Sequence, residues 1–215
     1  MLVLTEQADG LVNPRLAELS DDERVPFVES YWRNVRGFGF NPDGKVFIDK
    51  QPFNTLKLPL IAALFPSAKI IFAIRDPRDV ILSCTRRRFS MNALTYELLD
   101  LEAAAKFYAA YMELAERMME VLPLPFHRVR HEDVLDDFEG EVRRVCDFIG
   151  VEWNDAMVNF QDRRKVRSIS SPSAAQIAQG LNRDGMAQWR HYGEQLAPIL
   201  PILQPWVERF GYSPE

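Results

Sequence analysis

The sequence predicts an α/β fold, a mostly parallel sheet flanked by helices. Three observations carry that expectation. Short apolar runs alternate with helical segments along the chain, the signature of strand–helix–strand units. The run Lys69-Ile70-Ile71-Phe72-Ala73-Ile74 is almost continuously apolar, which suits a parallel strand buried on both faces. With 215 residues, 47% of them hydrophobic and 27% charged, the chain can bury the core of a single domain spanning 1–215.

The elements follow in order. Leu2-Val3-Leu4 reads as a short strand. Residues 21–36 read as a helix, because Ser20 can cap it and Glu23 stands three residues on, a capping box. Residues 37–44 are rich in turn formers, and residues 45–49 read as a strand. An apolar helix over 54–64 is stopped by Pro66. The apolar run then ends at Arg75, and Asp76-Pro77-Arg78-Asp79 opens a helix to about Arg88: Asp76 caps and Pro77 suits the first turn. Residues 96–122 read as a long amphipathic helix and 126–130 as a strand. Residues 138–149 read as a helix closed by Gly150. Residues 161–184 are loop-rich, and 194–210 form a proline-interrupted helix. In such folds ligands bind beyond the carboxyl ends of strands, which puts Arg75 where chemistry is expected.

Composition narrows the ligand. A net charge of −5 argues against a general binder of nucleic acid or of anionic membranes. Within that acidic chain stand two basic runs, Arg86-Arg87-Arg88 and Arg163-Arg164-Lys165-x-Arg167. They suggest a small anionic ligand; solvated helix or loop faces are the other reading. Cys84 and Cys146 lie far apart without metal-ligand spacing, so no metal site is expected. Sparse cysteine fits a reducing compartment. No apolar run reaches membrane-span length and no signal peptide is evident, so a cytoplasmic location is expected.

One constellation carries chemistry. Arg75 leaves the strand, Ser83 lies two turns into the next helix, and Arg87 follows four residues later on the same face. Two guanidinium groups and a hydroxyl make a phosphate clamp, since arginine forks match phosphate oxygens. On spacing alone, a helix start with ordinary surface arginines explains the pattern equally well.

The segment Arg75-x-Pro-x-Asp-Val-x-x-Ser83 resembles the 3′-phosphate motif of sulfotransferases that use 3′-phosphoadenosine-5′-phosphosulfate (PAPS), in the tyrosylprotein and bacterial repeat-linked branch. Other landmarks follow in the same order: Asp49-Lys50-Gln51-Pro52-Phe53-Asn54, Leu64-Phe65-Pro66-Ser67-Ala68-Lys69, Arg130-His131-Glu132-Asp133-Val134, Phe148-Ile149-Gly150-Val151, Gln188-Trp189-Arg190-x-Tyr192 and Phe210-Gly211-Tyr212. The likeness covers residues 45–212 and leaves 1–44 atypical. It implies the P-loop-NTPase-like sulfotransferase fold. It implies cofactor binding of PAPS, or of its product adenosine 3′,5′-bisphosphate, by Arg75, Ser83, Arg87, His131, Ser168 and Arg183. Ser170, Ser171 and Ser173 stand close enough to Ser168 to share its role. Lys50 matches a lysine that stabilises the transferring sulfuryl group. No metal is implied.

The sequence also departs from the family. His131 replaces a tyrosine that lies against the nucleotide, with a structural histidine the equal alternative, and Gln176-Ile177-Ala178-Gln179-Gly180 follows its motif only loosely. The family's first strand leads into a loop of the type Pro-Arg-Ser-Gly-Thr-Thr, whose N–H groups cradle the 5′-phosphosulfate. No such segment occurs here, so the fold is expected to be N-terminally incomplete. Glu6 is the nearest counterpart of a catalytic glutamate that follows the loop; a carboxylate at a frayed terminus is the equal alternative. A missing strand would leave a sheet edge open. That predicts a homodimer, an additional N-terminal domain, or a rearranged N-terminal segment. The expected activity is sulfuryl transfer to an acceptor hydroxyl on a peptide (tyrosine included), carbohydrate or small molecule. The alternative is a non-catalytic remnant that binds adenosine 3′,5′-bisphosphate or acts as an interaction module.

Overall fold

The structure, a computed structural model, describes residues 18–87, 89–158 and 181–214. Leu2-Val3-Leu4, Glu6, Ser168, the basic run at 163–167 and most of the loop-rich stretch lie outside the described residues. The chain forms two compact units. One holds the described residues through Ile70 together with 113–125; the other holds 71–112 and the described residues from 126 onward.

In the first unit, α1 (Asp21–Gly37) begins at the expected capping box. The Ser20 hydroxyl accepts from the Glu23 N–H, and the Glu23 carboxylate accepts from the Ser20 N–H at 2.9 Å. The helix expected over 54–64 starts as a 3₁₀ turn, Asn54–Lys57, and continues as α2 (Leu58–Leu64). Leu58, Leu60 and Leu64 of α2 are buried, and α2 packs against α1. The strand expected over 45–49 does not form. Side chains anchor this segment instead: the Phe47 ring meets Trp32 of α1 at 5.5 Å, and the Tyr31 hydroxyl of α1 donates to Asp49 at 2.9 Å. Docking onto a helix leaves the backbone of 46–50 without a ladder.

Strands β1 (Ile70–Ile74) and β2 (Phe126–Arg130) make a two-stranded sheet. The Ile70 N–H donates to the Pro125 carbonyl at 2.9 Å. Both residues stand where their strands begin, so the strands run parallel, as expected. Burial along β1 alternates: Phe72 and Ile74 are buried, whereas Ala73 is exposed and Ile71 is 38% exposed. The expectation of a strand buried on both faces is therefore corrected. Among the described residues β1 has one neighbouring strand, and with one face covered its burial alternates despite the apolar sequence.

In the second unit, Asp76 caps α3 (Pro77–Thr85) by accepting from the Arg78 N–H at 2.9 Å, with Pro77 in the first turn. The long helix expected from 96 is divided into α4 (Ala93–Tyr96), a 3₁₀ turn at Glu97–Leu99, and α5 (Leu101–Val121). The break falls at Asp100, which is extended and whose carboxylate accepts from the N–H groups of Glu102 and Ala103, both at 2.9 Å. A local cap there outcompetes helix continuation. From β2 the chain enters α6 (His131–Asp136) and α7 (Phe138–Ile149). Gly150 closes α7 in the left-handed conformation at φ 84°, as expected. Last come α8 (Gly193–Leu196) and α9 (Leu200–Arg209). Leu196, Ile199, Leu203 and Val207 are almost fully buried at helical spacing, and α9 packs against α3. Among the described residues no helix is long and apolar enough to cross a membrane.

Candidate functional site

Acidic and basic groups are buried where β1 meets α3. The Asp79 side chain is 1% exposed. Its oxygens accept from the N–H groups of Ala187 at 2.7 Å and Trp189 at 2.9 Å. Two donors two residues apart converge because Ala187 adopts a left-handed φ of 52°. Burial pushes the Asp79 carboxyl up; the N–H of Trp189 and the charge of Arg75 oppose that rise. Arg78, also buried, pairs with Asp76 at 2.8 Å and lies 3.8 Å over the Trp189 ring. These contacts satisfy charges that would otherwise be costly to hold out of water.

Arg75 sits at the mouth of this network, partly exposed. Its guanidinium donates to the Gly185 carbonyl and stands 3.9 Å from Asp79. A Cβ on Gly185 would fall 2.9 Å from that guanidinium, so glycine permits the approach. Arg75 Nε is buried with no hydrogen-bond partner among the described residues. A leftover donor of this kind fits an acceptor-only ligand such as phosphate.

Ser83 and Cys84, both partly buried, follow on α3. Burial raises the Cys84 thiol, and the charges of Arg75 and Arg87 pull it the other way. Both cations therefore act on the stretch of helix that carries Ser83. His131 opens α6. Burial, then Arg75, lowers its imidazole from the ordinary value of 6.5, against smaller contributions from Glu132 and Asp79. Arg75 is thus within electrostatic reach of both His131 and Cys84, the residue that follows Ser83. Arg183 is engaged elsewhere: it donates to the Leu135 carbonyl and to Asp136 at the end of α6.

Lys50 belongs to the first unit and is exposed. Its neighbours are held: Asp49 accepts from Tyr31 and, at 3.3 Å, from Asn54, and Lys57 donates to Gln51 at 3.0 Å. Phe47 and, though exposed, Asp49 contact α1, while Val46, Ile48 and Lys50 are exposed. That is the alternation of an extended segment. Among the described residues no group of three or more His, Cys, Asp or Glu side chains could hold a metal ion.

Sequence reasoning assigned no role to Asp79, Arg78 or Glu132. Asp79 resembled a routine acidic residue in a first helical turn, and its partners lie 108 and 110 residues away. The available signal was a charged pair, Arg78 and Asp79, set in an apolar stretch.

The sulfotransferase family matches residues 14–155. That is well over half of the chain, and the chain belongs to this family. It is 25% identical over 171 residues to protein-tyrosine sulfotransferase A of Caenorhabditis elegans, covering 77% of this chain and 44% of that protein. It is 29% identical over 113 residues to the omega-hydroxy-beta-dihydromenaquinone-9 sulfotransferase of Mycobacterium bovis, covering 50% and 29%. An uncharacterized protein of Aquifex aeolicus is 25% identical over 158 residues, covering 73% and 20%. The chain thus spans between a fifth and less than half of these relatives. The sulfotransferase domain from the curacin biosynthetic pathway aligns with a TM-score of 0.48 at 19% identity, covering 79% of this chain and 67% of that one.

Proposed function

We propose that the chain is the nucleotide-gripping part of a sulfotransferase that moves a sulfuryl group from PAPS to an acceptor hydroxyl. The observation that carries this reading is Arg75, fixed at the end of β1 with a buried Nε donor that has no partner among the described residues. In this reading Arg75, Ser83 and Arg87 hold the 3′-phosphate, His131 lies against the nucleotide, and Ser168 and Arg183 complete the grip. Arg183 would first leave Asp136.

Transfer is an in-line displacement: the acceptor oxygen–sulfur bond forms as the bond from sulfur to the bridging oxygen breaks. Adenosine 3′,5′-bisphosphate leaves with the bridging electron pair. Lys50 offsets charge on the sulfuryl and bridging oxygens, and Glu6 takes the hydroxyl proton. Names of relatives that act on protein tyrosine and on a hydroxylated menaquinone support a hydroxyl acceptor.

Titration calorimetry with 3′,5′-bisphosphoadenosine tests the reading. Arg75→Ala and Ser83→Ala should each weaken binding by about 1–3 kcal/mol, the scale of a charged hydrogen bond. Binding by the native chain makes a sulfate-transfer assay the next step. A folded native chain that ignores the nucleotide sinks the proposal.

A further inference from the structure

Two ties at the same strand end lead to one short segment. Glu132 accepts through one oxygen from the Asp76 N–H at 3.3 Å and through the other from the Tyr212 hydroxyl at 2.6 Å. The Tyr212 ring lies 4.5 Å from the Arg130 guanidinium, which in turn stands 3.8 Å from Asp133. Burial, followed by the bond to Glu132, pushes the Tyr212 phenol far above its ordinary range, so it stays a donor. The Ser213 and Pro214 carbonyls accept from Arg78 at 2.8 and 3.2 Å. The Arg78 side chain is only 4% exposed, so these carbonyls supply acceptors to a cation held largely out of water. Gly211, at φ 73°, makes the turn that delivers the segment.

We propose that residues 212–214 are a positioning strap that sets the phosphate affinity of the Arg75 site without touching the ligand. The inference rests on the nucleotide reading above. Asp76 directly follows Arg75, and Glu132 directly follows His131. The carboxylate that Tyr212 orients therefore spaces the two ligand-facing positions. Arg78 anchors the first turn of α3. From that turn Asp79 holds the Ala187 and Trp189 N–H groups, and the nearby Gly185 carbonyl holds the Arg75 guanidinium. Both ties end on the aim of one guanidinium, and a fork gripping phosphate depends on aim.

The test is Tyr212→Phe, which keeps the ring beside Arg130 and deletes the hydroxyl. Binding of 3′,5′-bisphosphoadenosine and of adenosine 5′-monophosphate is measured by calorimetry, with amide exchange followed over residues 76–79. The bisphosphate should bind about five- to tenfold more weakly, the monophosphate unchanged, and the Asp76 amide should exchange about tenfold faster. A bisphosphate affinity that does not move overturns the strap alone, as does equal weakening of both nucleotides, which would mark general loosening. A native chain that binds no bisphosphate overturns the nucleotide reading and the strap with it.

Discussion

The cations assigned to the reaction are held in two different ways. Around Arg75 the support is buried charge: Asp76, Arg78 and Asp79 are each less than a tenth exposed, and Arg78 and Asp79 are bonded to backbone far along the chain. Around Lys50 the support is aromatic packing, with Tyr31, Trp32, Phe47 and Phe65 meeting edge to face at 5.0–6.2 Å. Dense ionic support fixes direction, which a forked guanidinium needs. Aromatic packing fixes the position of a loop and leaves a lysine free to turn, which suffices for a point charge.

Substitutions should separate the two modes. The largest effect is expected for Asp79→Ala, which strands two backbone donors in a dry site. A loss of about 2–5 kcal/mol is expected in urea unfolding, on the usual scale for unsatisfied groups. A loss under about 1 kcal/mol would mean that water replaces the carboxylate. Trp32→Ala should cost about 2–3 kcal/mol, less than a fully buried tryptophan because the ring is partly exposed. Its bisphosphate affinity should stay at the native value; a parallel drop in affinity would break the comparison. Tyr31→Phe removes only the hydrogen bond to Asp49, worth about 1 kcal/mol. On the proposed role of Lys50, which follows Asp49, a transfer assay should show kcat falling more than nucleotide affinity. Gly185→Ala should displace the Arg75 guanidinium and weaken the bisphosphate several-fold, with little change in melting temperature.

The smallest effect concerns pH. The folded chain holds the His131 imidazole below its ordinary 6.5, so the unfolded chain takes up that proton more readily. This contribution to stability is complete above pH 6.5 and declines as pH falls below it. Urea midpoints at pH 5 and pH 7.5 should differ less in His131→Gln than in the native chain, and an unchanged difference would remove His131 as the cause.

Local signals were legible where their physics is local. The Ser20–Glu23 capping box, the Asp76-Pro77 start of α3 and the Gly150 stop each lie within a few residues of the structure they determine, and each is found there. Arg75 was legible at the end of its strand because an apolar run and a capped helix start flank it directly. The expected strand at 45–49 failed because its apolar and acidic side chains found a helix before its backbone found a neighbour. The expected double burial of β1 failed because hydrophobicity records what a strand can bury, while the number of layers decides what it does bury.

From sequence alone came the α/β class, the helix boundaries set by caps and glycine, and the strand end that bears Arg75. These depend on neighbours in the chain, and residue order states them directly. Tertiary structure alone decided that Asp79 serves the backbone of 187–189, that Arg78 is sealed by residues 213 and 214, and that Glu132 joins Asp76 to Tyr212. Each of those bonds closes a loop of more than fifty residues. Its energy comes from desolvated partners whose meeting no local spacing encodes.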